Sequence, residues 1–240
     1  MLSITPLPIL SDNYAYLLRC AETGVTAIVD PAEEAPCIAA IEAAGGRLDM
    51  ILLTHHHGDH IAAAEPLRAK YGARIVGAKA DAHRLPSLDR AVVEGDTVKI
   101  GNATALVFET PGHTRGHIAY YFVAEAALFC GDTLFSLGCG RFLEGTAEEM
   151  FASLAKLAAL PGETLVYCGH EYTESNARFA TQADPGNVAL AAYAAKVAAM
   201  RARGEITIPS RLSDELACNP FLRAGDAATL GQLREAKNRF

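Results

Sequence analysis

Apolar residues in this chain fall into short runs separated by turn-forming residues, and stretches of helical composition alternate with those runs up to about residue 170. Residues 14–19 and 25–29 read as strands, and the Cys20-Ala21-Glu22-Thr23-Gly24 segment between them as the loop of a hairpin. Residues 35–44 have helical composition and end at Gly45-Gly46, a signal for a helix C-terminus. The run Met50-Ile51-Leu52-Leu53, bounded by polar residues, predicts a buried strand. A helix over 61–71 and a short strand over 74–77 follow. Further strands are predicted at 97–100, 103–109, 118–123 and 127–130, then a helix at 147–160 and a buried strand at 164–168. Beyond Tyr172 only helices are predicted, at 175–181, 188–203 and 227–237. The expected class is α/β: a catalytic domain over residues 1–172 and an α-helical appendage over 173–240.

Composition narrows the functional classes. Half of the 240 residues are hydrophobic and the formal net charge is −7. The length suits one sizeable domain, or one domain with a smaller addition. An acidic chain is a poor nucleic-acid binder, so an anionic ligand has to be met by a local basic cluster. No window approaches the length of uninterrupted apolar sequence that a membrane span needs. The first residues lack the basic and apolar regions of a signal peptide, so a cytoplasmic location is expected. The six cysteines are widely spaced with no CxxC pair, and reduced, buried thiols are expected of them.

The densest chemistry lies in Thr54-His55-His56-His57-Gly58-Asp59-His60, where the 50–53 strand gives way to a loop. Alternation along an extended chain turns His55 and His57 to one side and His56 away. Asp59 and His60 open the following helical segment, so one strand-to-helix turn offers four converging groups. Imidazole and carboxylate suit zinc and other first-row metals.

Three more candidates each follow an apolar strand and sit beside glycine: His113 in Pro111-Gly112-His113-Thr114-Arg115-Gly116-His117, Asp132 in Gly131-Asp132-Thr133-Leu134-Phe135, and His170 in Gly169-His170-Glu171-Tyr172-Thr173. Loops at strand ends are where a scaffold displays functional groups. A single catalytic zinc takes three protein ligands, so seven candidates imply two metals. The natural division assigns His55, His57 and His113 to one ion and Asp59, His60 and His170 to the other, with Asp132 bridging.

The motifs HxHxDH, PGHTxGH, GDTLF and GHEYT resemble the metallo-β-lactamase superfamily and, more narrowly, its glyoxalase II (hydroxyacylglutathione hydrolase) family. The resemblance runs along almost the whole chain, from Ser11-Asp12-Asn13-Tyr14 through Gly138-Cys139-Gly140-Arg141-Phe142-Leu143-Glu144-Gly145-Thr146 and Asn219-Pro220-Phe221-Leu222-Arg223 to Arg234-Glu235-Ala236-Lys237. It implies an αββα sandwich with a dimetal centre at one edge and a C-terminal helical domain that binds glutathione. The family's ligand set falls on the same seven residues and leaves out His56 and His117. His83 has no partner visible in the sequence and reads as a surface residue.

The implied reaction is hydrolysis of S-D-lactoylglutathione and related S-2-hydroxyacylglutathiones to glutathione and a 2-hydroxy acid, the second step of methylglyoxal detoxification. A hydroxide between two divalent ions, held by Asp59 and Asp132, is the expected nucleophile, since metal binding lowers the pKa of water from about 15.7 to about 7. Zinc is the first expectation, and iron and manganese suit the same donors. Arg141, Tyr172, Arg234 and Lys237 stand at the family's substrate-contacting positions. Arg234 and Lys237 share one helix face by their spacing. Leu143 stands where some relatives carry a tyrosine. A monomer is expected, acting on a small-molecule thioester. The rival readings are another enzyme of the superfamily, such as a persulfide dioxygenase or a lactamase-like hydrolase, and a non-catalytic metal-binding module.

Overall fold

The hairpin expected around residues 20–24 joins β2 (Asn13–Cys20) and β3 (Thr26–Val29), in a computed structural model that describes residues 1–240. The two strands run antiparallel, with Leu18 opposite Ala27 and Arg19 opposite Thr26. Before them lies β1 (Leu2–Ile9), which the pattern did not predict because Pro6 and Pro8 interrupt it. It pairs only with β2, at the edge of its sheet, the position where proline is tolerated in a strand.

The helix α1 (Glu34–Ala43) ends as expected: Gly45 and Gly46 have φ of 111° and 72°, and the Gly46 N–H donates to the Ile41 carbonyl at 2.9 Å. Three strands then join in parallel: β4 (Met50–Leu52), β5 (Arg74–Ala78) and β6 (Arg90–Val92). The last was not foreseen, since it is three residues long with two of them exposed. The helix expected over 61–71 is broken into α2 (Gly58–Ile61) and α3 (Ala64–Tyr71). The break lets the first short turn carry Asp59 and His60 directly off the end of the β4 segment.

Four more strands follow in antiparallel succession: β7 (Thr97–Ile100), β8 (Ala103–Glu109), β9 (Ile118–Phe122) and β10 (Ala127–Gly131). Ala15, Leu17, Ile28, Ile51 and Ile75 pack with Cys37, Ile41 and Leu67 of the helices. On the other face of β2, Tyr16 meets Phe129 edge-on, with centroids 5.3 Å apart. Burial on both faces explains why these strands read as continuous apolar runs rather than as alternation. All of this belongs to one compact unit, Met1–Glu109 with Gly116–Gly131.

A second unit comprises Thr110–Arg115 and Asp132–Phe240. It begins with a small hairpin of β11 (Leu134–Phe135) and β12 (Gly138–Cys139). The helix α4 (Ala147–Ala158) opens on a capping box in which the Thr146 side chain accepts from the Glu149 N–H and the Glu149 carboxylate accepts from the Thr146 N–H. Such caps contribute on the order of 1 kcal/mol. β13 (Leu165–Cys168) precedes α5 (Thr173–Ala183) and α6 (Val188–Ala202). The expectation of helices alone beyond residue 170 is corrected here. A two-residue strand, β14 (Ser210–Arg211), runs antiparallel to β13 with Val166 opposite Ser210, and two residues are too few to display a period. It leads into α7 (Leu212–Cys218), also unforeseen, and the chain closes with α8 (Ala227–Arg239). Leu137, Ala177, Ala180, Leu190, Val197 and Cys218 form this unit's helical core. No helix in the chain is long and apolar enough to cross a membrane. All six cysteines are buried and unbridged.

Candidate metal centre

In the first unit the histidine loop leaves the carboxyl end of β4 beside the carboxyl end of β3, where Asp30 sits at φ 48°. Both Asp30 oxygens reach into the loop. Oδ1 accepts from the Thr54 N–H at 2.8 Å, and Oδ2 accepts from the Thr54 hydroxyl at 2.6 Å. That hydroxyl, its proton committed to Asp30, accepts from Nδ1 of His55 at 3.0 Å. The Asp30 Oδ2 also accepts from Nδ1 of His60 at 3.1 Å. A carboxylate can only accept, so each of these imidazoles carries its proton on Nδ1 and keeps a lone pair on Nε2. Metal-ligating histidines depend on this kind of support.

Nε2 of His55 lies 3.1 Å from Nδ1 of His57, and Nε2 of His60 lies 3.7 Å from Oδ2 of Asp59. Asn13 fixes the Asp59 carboxylate by donating to the same Oδ2 at 3.0 Å. His56 turns the other way, with Nδ1 2.9 Å from Asp81, as the alternation predicts. His117 stacks on the His55 ring at 4.8 Å between centroids. His83 is exposed.

The second unit assembles its own cluster. Nδ1 of His113 donates to the Arg141 carbonyl at 2.9 Å, which leaves Nε2 as the lone-pair nitrogen, 3.4 Å from Oδ2 of Asp132. The same Asp132 oxygen is 3.3 Å from Nε2 of His170. One carboxylate oxygen thus faces two imidazoles, as a bridging ligand requires. At metal–nitrogen distances of about 2.0–2.1 Å, neighbouring ligands of a tetrahedral ion stand about 3.3 Å apart. The spacings of 3.1, 3.3 and 3.4 Å fit that edge, and the donors are those a divalent metal takes. The loop carrying His113 is anchored by the Ser153 hydroxyl, which donates to the Pro111 carbonyl at 2.7 Å, and by the Gly145 N–H on the Gly112 carbonyl. Gly140 has no alternative at its position, because a Cβ there would overlap the Asp132 carbonyl.

The substrate-contacting candidates lie in the same unit. Arg141 and Arg234 line one cavity of about 440 Å³ together with Leu143, Gly231 and Asn238. Arg234 is largely buried, its Nη1 donating to the Cys139 carbonyl at 2.7 Å and its Nε to Asn238 at 3.1 Å. Lys237, one turn further along α8, is not part of the cavity lining. Its Nζ donates to the carbonyl and hydroxyl oxygens of Ser175, both at 2.9 Å. Burial, with the positive field of Arg234 and Arg178 behind it, pulls the Lys237 ammonium down to about 8. Tyr172 stacks flat on the His170 ring, at 4.6 Å and 4°. Leu143 is 57% exposed at the cavity rim.

Several supporting residues escaped the sequence reading. Asp30 is one. Glu171 is another: it accepts from the Thr207 N–H and hydroxyl at 2.8 and 2.6 Å and so fixes the loop between His170 and Tyr172. Glu215 is fully buried and accepts from the Leu137 N–H at 2.8 Å, and burial pushes its carboxyl above the ordinary range. Asn219 donates to the Phe135 and Gly138 carbonyls. Together the last two hold the hairpin that separates Asp132 from Arg141.

Residues 10–170 match the model of the metallo-beta-lactamase superfamily, and residues 171–240 match that of the hydroxyacylglutathione hydrolase C-terminus. The hydroxyacylglutathione hydrolase of Acidiphilium cryptum (strain JF-5) is 58% identical over 238 residues, which span 99% of this chain and 97% of that protein. The chain belongs to the hydroxyacylglutathione hydrolase family of the metallo-beta-lactamase superfamily. Among solved structures, ETHE1 from Myxococcus xanthus is similar, with a TM-score of 0.75 at 26% identity over 98% of this chain and 91% of that one. TTHA1623, crystallised in a di-iron-bound form, shares 31% identity and a TM-score of 0.59 over 69% of this chain and 91% of its own. The α/β class and the metallo-beta-lactamase fold of the family are those expected from the motifs.

Proposed function

We propose that the chain is a metal-dependent thioester hydrolase that cleaves S-D-lactoylglutathione, and other S-2-hydroxyacylglutathiones, to glutathione and a 2-hydroxy acid. The observation that carries this reading is the match along the whole chain to relatives named hydroxyacylglutathione hydrolase, which takes in both the ligand motifs and the α8 cations. In this reading His55, His57 and His113 would hold one divalent ion and Asp59, His60 and His170 a second, with Asp132 as the ligand that both would share. The di-iron form of TTHA1623 supports a pair of ions. Zinc is proposed first, because the donors are imidazole and carboxylate throughout, with iron and manganese as the alternatives. Bound there, the ions supply Lewis acidity and a water that is acidic near neutral pH.

The chain's own residues do the rest. Asp59 and Asp132 orient the attacking water, Asp59 with its carboxylate already fixed by Asn13. The Nδ1 partners of His55, His60 and His113 keep each ring in the one tautomer that can ligate. Breaking the thioester expels a thiolate, a good leaving group, so the reaction needs no strong general acid. The carboxylates of glutathione call for cations in an acidic chain, and Arg141, Arg234 and Lys237 provide them, with Tyr172 lining the approach. Residues 173–240 form the substrate-binding domain of this scheme and residues 1–172 the catalytic one. All proposed ligands and cations come from one chain, which suits a monomer. The unbridged cysteines suit the cytoplasm.

The test is metal-replete protein incubated with S-D-lactoylglutathione, followed by loss of the thioester and elemental analysis of the same sample. Thioester cleavage with about two ions per chain is expected. Consumption of a persulfide or a β-lactam with the thioester left intact would overturn the substrate assignment.

A further inference from the structure

A second cationic cavity lies at the opposite end of the parallel strands from the histidine loop. It has a volume of about 450 Å³ and lies wholly within the first unit. Arg74, the first residue of β5, stands beside Met50 of β4, and Arg90, the first residue of β6, stands beside Val76. Arg74 and Val76 are two apart on β5 and share a face, and register partners on adjacent strands share it too. The two arginines therefore leave neighbouring strands on the same side of the sheet. Lys99 and Thr97 of β7 complete the lining.

None of Arg74, Arg90 and Lys99 makes a salt bridge or a side-chain hydrogen bond. The cavity's one carboxylate, Asp89, is already committed. Its Oδ2 accepts from the Ile75 N–H at 2.8 Å and from Arg68 at 2.7 Å. That backbone contact, ahead of the field of Arg68 and Arg74, holds its carboxyl below the usual range. The three cations are exposed and only Asp89 offsets them, which leaves the cavity net positive in a chain of net charge −7. Edge protection accounts for part of the pattern. β6 and β7 are the edge strands of their sheets, and charged residues on edges discourage strand addition. It does not account for Arg74, which lies on β5 between β4 and β6.

We propose that this cavity is a binding site for a small phosphate monoester, distinct from the thioester site. Two guanidinium groups from adjacent strands offer the paired forks that phosphate oxygens accept. Lys99 adds a point charge and Thr97 a hydroxyl donor. Met50 and Val76 give an apolar floor for the carbon part of the ester. A monoester dianion fits this set better than a monocarboxylate, which would leave one arginine without a partner.

Calorimetric titration of the metal-replete protein with glycerol 3-phosphate tests the proposal. Saturable binding is expected in the wild type, weakening as salt is raised. In the double variant R74Q/R90Q it should weaken roughly tenfold or more, since each charge-assisted contact removed is worth that order. The same variant should hydrolyse the thioester at the wild-type rate. Binding should persist in R141Q/R234Q, which strips the two arginines of the other cavity. The milder R74K/R90K variant keeps the charge but not the forks, and should show an intermediate loss. Unchanged binding in R74Q/R90Q, or competitive inhibition of thioester hydrolysis by the probe, would put the phosphate at the catalytic site and overturn the assignment. Absence of saturable binding in the wild type would also overturn the proposal.

Discussion

Nδ1 of His60 lies 3.1 Å from Oδ2 of Asp30, thirty residues earlier in the chain. The same oxygen takes the Thr54 hydroxyl proton at 2.6 Å, and through that hydroxyl it governs the tautomer of His55 as well. One buried carboxylate thus sets the ligating nitrogen of two histidines, one assigned to each of the two proposed ions. Asp30→Asn keeps the size of the side chain and tolerates the φ of 48°. It replaces one acceptor oxygen by an amide that cannot accept from both groups. Metal affinity, measured by competition with a chelator, should fall about 10- to 100-fold. Unchanged affinity would show that the tautomers are set elsewhere.

The position of Asp30 marks the boundary of what the chain discloses when read as a line. Ligands such as His55, His113 and His170 stand out because their type is rare, and because a strand followed by glycine announces each of them. Asp30 is one acid among 28 Asp and Glu residues, and its task exists only once β3 and β4 lie side by side. Glu171, Glu215 and Asn219 are hidden for the same reason, since their partners are 36, 78 and 84 residues away. The strands that were missed have other causes. β6, β11, β12 and β14 are too short for any period, and β1 is broken by prolines that only its edge position excuses.

His56 and His57 are neighbours with opposite assignments, and metal content separates them. His56 engages Asp81 at 2.9 Å, while His57 faces His55 at 3.1 Å. His56→Ala should retain both ions by elemental analysis, with a modest loss of stability from the lost contact to Asp81, which keeps its ion pair with Arg84. His57→Ala should lose an ion or bind it far more weakly. Equal losses in the two variants would contradict the division of the loop.

Lys237 gives the proposed substrate site a pH signature. Its ammonium is held down to about 8 by burial and by Arg234 and Arg178, against an unfolded value near 10.5. The free enzyme loses this charge as the pH rises through about 8, and the affinity for anionic glutathione should go with it. kcat/KM should therefore fall on that limb while kcat changes less. The linkage to stability has the opposite sense. Between about 8 and 10.5 the unfolded chain binds more protons at this lysine, so its contribution to stability rises with pH across that window. Lys237→Arg should move the limb to higher pH, and Lys237→Met should remove it with a raised KM throughout. A limb that survives in Lys237→Met belongs to another group.

Leu143 offers the converse experiment, a gain rather than a loss. It is 57% exposed at the rim of the cavity that Arg141 and Arg234 line, so a larger side chain meets no packing obstacle. It presents no polar atom to a ligand there. Leu143→Tyr adds one hydroxyl at the mouth of the cavity, and a new hydrogen bond to bound glutathione contributes about 1 kcal/mol. KM for the thioester should fall about fivefold, the factor corresponding to that energy, with kcat unchanged because the contact is equal in ground and transition states. Free glutathione should become a stronger product inhibitor by the same factor. A lower KM without stronger product inhibition would mean that residue 143 meets the acyl group, and that the cavity holds the other end of the substrate.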